Sequence, residues 1–95
     1  MKHEDAVRLL DAILSMRDRE ELRRLLDDLC TIPEIFAMTQ RMEVARYLEE
    51  GLTYAQIAQI THASTATISR VNRCLLYGEG GYRLALERMR QAEEK

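Results

Sequence analysis

Residues 53–77 read TYAQIAQITHASTATISRVNRCLLY. The pattern predicts two short helices, over 54–60 and over 65 to about 77, and each follows a hydroxyl residue that can cap a helix, Thr53 and Ser64. Only Thr61, His62 and Ala63 lie between the two helices. Two short helices joined by so tight a turn are typical of the helix-turn-helix. The sequence therefore predicts a helix-turn-helix over residues 53–77.

The residue types within this segment fit the packing of a helix-turn-helix. Ala58 is small where the second helix must cross close to the first, with Ile57 beside it, and Ile68 and Val71 fall where the second helix packs back. His62 takes the turn position that is often glycine, and histidine enters the left-handed region more readily than most residues. An ordinary pair of antiparallel helices could share this pattern. The residues on the outer face of the second helix must therefore distinguish a helix-turn-helix from an ordinary helix pair.

That outer face suits a DNA duplex. With Ile68, Val71 and Leu75 inward, the outward residues are Thr65, Ala66, Ser69, Arg70, Asn72 and Arg73. Short side chains let the helix N-terminus enter a major groove, and arginines reach guanine edges or phosphates. The alternative is a merely solvated polar face, over which the pattern favours DNA contact. The candidate DNA-binding residues are Thr53, Ser64, Thr65, Ala66, Ser69, Arg70 and Arg73.

The charge distribution supports this interpretation locally. A net charge of −2 and an isoelectric point near 5.7 argue against a generic polyanion binder. Between Glu50 and Glu79, however, the chain has no acidic residue, while Arg70 and Arg73 lie there. This segment can approach phosphates without repulsion, although a packed segment of low charge would have the same composition.

Helical signals continue on both sides of the segment. Upstream, apolar spacing predicts a first helix over about 3–16, and Asp18 opens a second. A third helix starts near Pro33, within Thr31-Ile-Pro-Glu34, and ends at Gly51. We expect a break in this third helix near Thr39. Downstream, residues 78–81 predict a loop before a last helix. We expect an all-α fold of about six helices in a single domain, residues 1–95.

Other classes of protein are disfavoured. No apolar run is long enough to span a membrane, and the N-terminus lacks a signal peptide, so we expect a cytoplasmic protein. Cys30 and Cys74 stand without metal-ligand spacing, which predicts reduced, buried thiols and no metal site. His3 and His62 join no nucleophile in a recognisable motif. We therefore expect no enzymatic activity.

Four motifs carry a resemblance to a known family. They are Thr31-Ile-Pro-Glu34, Gln40-Arg41-Met42, Glu50-Gly51 and Ala66-Thr-Ile-Ser-Arg70. Over about residues 5–90 the chain resembles the tryptophan repressor family, and more closely its branch of uncharacterised repressor-like proteins. The resemblance implies an intertwined homodimer in which N-terminal helices wrap one another and paired helix-turn-helix units face an operator. The apolar stripes of the first two helices agree, because a 95-residue monomer could scarcely cover them.

The resemblance also implies an effector pocket. Arg41 and Arg70 match the two arginines that sandwich the indole of L-tryptophan in the family. Val71, however, stands where the family usually has glycine, and Cys74 stands where it has serine, a better hydrogen-bond partner. The candidate effector-binding residues are thus Arg41, Arg70, Val71 and Cys74, with tryptophan binding disfavoured and no cofactor expected. Alternatively, Arg70 contacts phosphate, and Arg41 pairs with Glu43 or Glu34.

These observations predict a DNA-binding transcriptional regulator. We expect a repressor that binds a two-fold symmetric operator on double-stranded DNA as a homodimer through residues 53–77, with effector control left open. The alternative is a helical protein–protein interaction module without DNA binding, which the net acidity would permit. No membrane partner is expected.

Overall fold

A computed structural model describes residues 3–94 and shows six helices, with no strand in that range. They are α1 (His3–Ser15), α2 (Arg19–Leu29), α3 (Ile32–Glu49), α4 (Tyr54–Thr61), α5 (Thr65–Tyr77) and α6 (Gly81–Glu93). The prediction of an all-α fold with about six helices is confirmed. None of the helices between residues 3 and 94 has the length and apolar character that a membrane crossing requires.

Short polar motifs start the second and third helices. The Asp18 carboxylate accepts the Glu21 N–H at 2.9 Å, while the Glu21 carboxylate accepts the Arg17 N–H at 2.8 Å. At α3 the motif is a full capping box, because Glu34 N–H donates to Thr31 Oγ1 at 3.2 Å and Thr31 N–H donates to Glu34 Oε1 at 2.7 Å. The Thr31 N–H that donates to the Glu34 carboxylate lowers the pKa of that carboxyl below its usual range.

Helix α3 runs without interruption from Ile32 to Glu49, so the predicted break near Thr39 is wrong. After Pro33, in the first turn, the helix contains neither glycine nor proline. A β-branched threonine lowers helix propensity by only a few tenths of a kcal/mol, roughly, and does not break the backbone hydrogen bonds. The continuous helix carries the Gln40-Arg41-Met42 motif in its middle.

Contacts divide the chain into two compact units, one up to Phe36 and one from Ala37 onward. The second unit holds the apolar core. Its buried residues come from α3, α4, α5, α6 and the turn between α4 and α5, and they are Val44, Ala45, Ile57, Ala63, Ile68, Val71, Leu75 and Leu86. The helix-turn-helix therefore packs onto the second half of α3 and onto α6.

The first unit leaves most of its apolar side chains exposed. Ala6 is buried at 7% exposure, and α2 contains no buried residue. Its exposed apolar residues lie on α1, on α2 and at the start of α3, and they are Val7, Leu9, Leu14, Leu29, Ile32 and Phe36. Exposed apolar surface of this extent is typical of protein contact surfaces.

Two glycines end helices for different reasons. Gly51, after α3, has φ +89°, a left-handed conformation that glycine adopts without steric cost. Gly78 ends α5 with an extended backbone, but a Cβ there would lie 2.5 Å from the Cys74 carbonyl oxygen. The first position needs glycine for its conformation and the second for close approach.

Candidate nucleic-acid interface

The first helix of the helix-turn-helix, α4, begins with a capping box built from neutral side chains. Thr53 Oγ1 accepts the Gln56 N–H at 3.2 Å, and Gln56 Oε1 accepts the Thr53 N–H at 2.9 Å. Both donors would otherwise lack partners at the helix start. The box therefore fixes where α4 begins after the Gly51-Leu52 turn.

The turn between α4 and α5 is held by hydrogen bonds of its own. His62 has φ +61°, the left-handed conformation expected for it, and its N–H donates to the Ala58 carbonyl at 2.9 Å. Thr61 Oγ1 donates to the Ile57 carbonyl at 2.7 Å and accepts the Ala63 N–H at 3.2 Å. Ala63 is buried in the core. These bonds stabilise the turn between α4 and α5.

Helix α5 starts at a serine cap and turns its apolar side inward. Ser64 Oγ accepts the Thr67 N–H at 3.1 Å. Ile68 and Val71 are almost wholly buried, and Leu75 is 8% exposed. The predicted inward face of this helix is thus confirmed, which leaves its other face toward solvent.

The structure places the candidate DNA-binding residues at the surface. All are exposed: Thr53, Ser64, Thr65, Ala66, Ser69, Arg70 and Arg73. Asn72, expected on the outer face, is half-buried instead. The exposed residues are the caps of α4 and α5 and residues on the outer side of α5.

Charge is segregated within the second unit. The stretch from Gly51 to Gly78 has no acidic side chain. Elsewhere, α3 and α6 border a groove of about 430 Å³ whose lining includes four glutamates and two arginines: Glu43, Arg46, Glu49, Glu50, Leu86, Met89, Arg90 and Glu93. Arg46 pairs there with Glu43 at 2.6 Å, and Arg90 pairs with Glu87. The helix-turn-helix is therefore the part of this unit that a polyanion can approach without repulsion.

The candidate effector-binding residues differ in exposure. Arg41, on α3, is half-buried, while Arg70 and Cys74 are exposed on α5. Val71 is 1% exposed and belongs to the core. The expectation that Cys74 is buried is wrong, because Val71 and Leu75 occupy the core side of α5. Val71 thus fills a core position where the family resemblance implies a glycine, and the expectation that this set does not bind tryptophan stays a prediction.

The ion pairs considered for Arg41 are not formed. Glu43 pairs with Arg46 instead, and the Glu34 carboxylate accepts the Thr31 N–H in the capping box. The alternative in which Arg41 forms an ion pair with Glu43 or Glu34 is therefore not supported.

Two residues outside residues 53–77 bind the helix-turn-helix backbone, and sequence reasoning missed both. Gln40 Nε2 donates to the Thr61 carbonyl at 3.1 Å, and Arg83 Nε donates to the Leu75 carbonyl at 3.0 Å. Each bond is partly buried. Gln40 had been noted only as part of a family motif, and no local pattern indicates a bond to a residue 21 positions away.

Comparison with known proteins agrees with this geometry. Residues 4–90 match the family model for the Trp repressor protein. The chain belongs to the Trp repressor family. It is 56% identical over 85 residues to the uncharacterized protein YerC of Bacillus subtilis (strain 168), a match that covers 90% of this chain and 82% of that protein.

Solved structures of similar proteins show the same fold. A Trp repressor candidate from Staphylococcus aureus is 45% identical, with a TM-score of 0.87 and 95% of both chains covered. A TrpR-like protein from Eubacterium eligens ATCC 27750 is 50% identical, with a TM-score of 0.87, over 93% of this chain and 91% of that one. The resemblance drawn from the four motifs is confirmed. Membership of the Trp repressor family, a family of regulators, supports a DNA-binding regulator.

Proposed function

We propose that this chain is a sequence-specific transcriptional repressor that binds a two-fold symmetric operator on double-stranded DNA as a homodimer. The observation that carries the proposal is the exposed side of α5, which presents short side chains near its N-terminus and Arg70 and Arg73 further along, in a segment free of acidic residues. Short residues let the helix enter a major groove, where Arg70 reaches a guanine edge or a phosphate. Thr53 and Ser64 lie at helix N-termini, which suits contact with phosphate oxygens.

The homodimer rests on a separate observation in the first unit. The apolar side chains of α1, α2 and the start of α3 are largely exposed in the single chain, Leu14 to 81% and Ile32 to 86%. A second copy of the same unit offers a matching apolar surface, as an isologous interface requires. Two joined chains would present two recognition helices to half-sites about 34 Å apart, one turn of the duplex.

DNA binding in this proposal does not require L-tryptophan. Val71 packs in the core beside Ile68, so α5 is held without a ligand under it. Arg70 is then available to DNA. Control by a different small molecule, through Arg41, Arg70 or Cys74, stays a prediction.

The direct test is selection of duplexes from a random pool at physiological salt, with and without L-tryptophan. We expect the same palindrome to be enriched in both arms. Enrichment only with tryptophan would contradict the role given to Val71. No enrichment in either arm, together with binding to another protein, would favour the interaction-module alternative.

Arg70→Ala tests the assigned contact on the selected duplex. Loss of an arginine that contacts a base is worth about 1–3 kcal/mol, so we expect affinity to fall at least about fivefold. Arg88→Ala removes the same charge from an exposed position on α6 and serves as the control. Fluorescence anisotropy measures both affinities. Equal affinities of Arg70→Ala and Arg88→Ala would show that Arg70 does not contact DNA.

A further inference from the structure

A hydrogen bond from Gln40 joins the turn of the helix-turn-helix to α3. Gln40 Nε2 donates to the Thr61 carbonyl at 3.1 Å in a partly buried setting. Thr61 is the last residue of α4, and the carbonyl groups at a helix C-terminus have no partner within the helix. Gln40 supplies the missing donor from another helix.

The Thr61 carbonyl lies at the point where the chain turns from α4 toward α5. The next residue, His62, has the left-handed conformation, and Ala63 and the Ser64 cap follow directly. The direction in which α5 leaves the turn therefore depends on where this carbonyl is held. Arg83, on α6, fastens α5 near its other end through the Leu75 carbonyl.

We propose that Gln40 is a positioning residue for DNA recognition, whose amide anchors the turn to α3 and so fixes the angle at which Thr65, Ala66 and Ser69 are presented. This inference rests on the proposed DNA-binding function. Gln40 touches no DNA in this role. It acts through the Thr61 carbonyl, and its loss weakens recognition of a specific site while leaving the backbone contacts of non-specific binding in place.

Gln40→Glu is the sharpest variant because it keeps the shape of the side chain and removes the donor. An ionised carboxylate has no hydrogen to give the Thr61 carbonyl and repels its oxygen. When protonated, the introduced carboxyl again has an O–H to donate. Partial burial and this bond to the neutral form both raise the pKa of the introduced carboxyl above the usual glutamate value, so the bond returns on mild acidification.

The experiment measures binding of the full chain to two probes, the duplex enriched by the wild-type protein and a random-sequence duplex of the same length. At about pH 7.5 we expect Gln40→Glu to bind the selected duplex about tenfold more weakly than the wild type, and the random duplex equally well. Toward about pH 5 the ratio of wild-type to variant affinity falls toward one.

Two further variants separate positioning from charge and from folding. Gln91→Glu adds the same charge on the exposed side of α6 and should leave both affinities unchanged. Gln40→Met keeps the length without charge or donor, and should show the loss at both pH values without recovery. Circular dichroism at each pH checks that the helices are intact.

The outcomes are distinct. Equal binding of the selected duplex by Gln40→Glu and the wild type at about pH 7.5, or equal loss on both duplexes without recovery at low pH, overturns the positioning role alone. A wild-type protein that enriches and binds no duplex refutes the DNA-binding function and this role with it.

Discussion

The two units of the chain differ in how many of their apolar side chains are buried. From Ala37 onward the core buries Val44, Ile57 and Ile68 completely. Up to Phe36, α2 buries no residue, and Ile32 is 86% exposed. The second unit thus has a buried core within one chain, whereas the first buries few side chains. The second unit also exposes apolar side chains near the end of α5 and on α6, among them Leu76, Leu84 and Met89. In the proposed function, the second unit recognises DNA and the first unit assembles the dimer.

Both units use a capping box, and the boxes differ in chemistry. Thr31 pairs with the carboxylate of Glu34, whereas Thr53 pairs with the neutral amide of Gln56. The first box is sensitive to acid and the second is not. The helix-turn-helix therefore starts, at α4, from a capping motif that carries no charge.

The largest expected effect concerns the buried core of the second unit. Ile57→Ala should lower the free energy of unfolding by about 2–5 kcal/mol, because it leaves a cavity among fully buried residues. Ile60→Ala, on the same helix but 50% exposed, should cost much less. Urea unfolding measures both. Similar losses for the two variants would mean that the core does not lie where the structure puts it.

The next effect concerns the exposed apolar surface of the first unit. Ile32→Glu should weaken dimerisation at least about tenfold, since burial of an isoleucine is worth roughly 1.5–3 kcal/mol in each chain. Ile60→Glu makes the same change at an exposed position of α4 and should leave dimerisation unaltered. Sedimentation equilibrium over a range of concentrations gives both constants. An unchanged dimer of Ile32→Glu would place the interface elsewhere.

The smallest effect concerns the capping box at Thr31. The pKa of Glu34 is lowered in the folded chain by the Thr31 N–H, so the stability from this bond is present above the unfolded pKa and is lost as pH falls through the folded value. Glu34→Gln, which copies the box at Thr53, should make acid unfolding slightly less steep. Thermal melts from neutral pH to about pH 3 measure the slope. A steeper acid loss in the variant would contradict this assignment.

Much of the second unit could be predicted because its signals are local. The hydroxyl caps at Thr53 and Ser64, the left-handed His62 and the inward Ile68 each follow from residue type and spacing over a few positions. The exposed positions of Arg70 and Arg73 follow from the same helical period. Their contact with DNA stays a prediction.

The features that the sequence could not indicate depend on side-chain packing or on contacts between residues far apart in the sequence. Thr39 lies inside a continuous helix because the helix tolerates a weak former when its neighbours are strong. Exposure of Cys74 depends on which neighbours fill the core side of α5. The bond from Gln40 to Thr61 joins two helices through a side chain, and no periodic pattern encodes it.

In the proposed function, the first unit joins two chains so that their second units can bind a symmetric duplex. Sedimentation equilibrium of the wild-type protein, alone and with the duplex enriched from a random pool, tests it most directly. The account predicts a dimer in the absence of DNA and two chains on each palindromic duplex. A monomer that remains monomeric as concentration rises, or one chain bound per duplex, would contradict it.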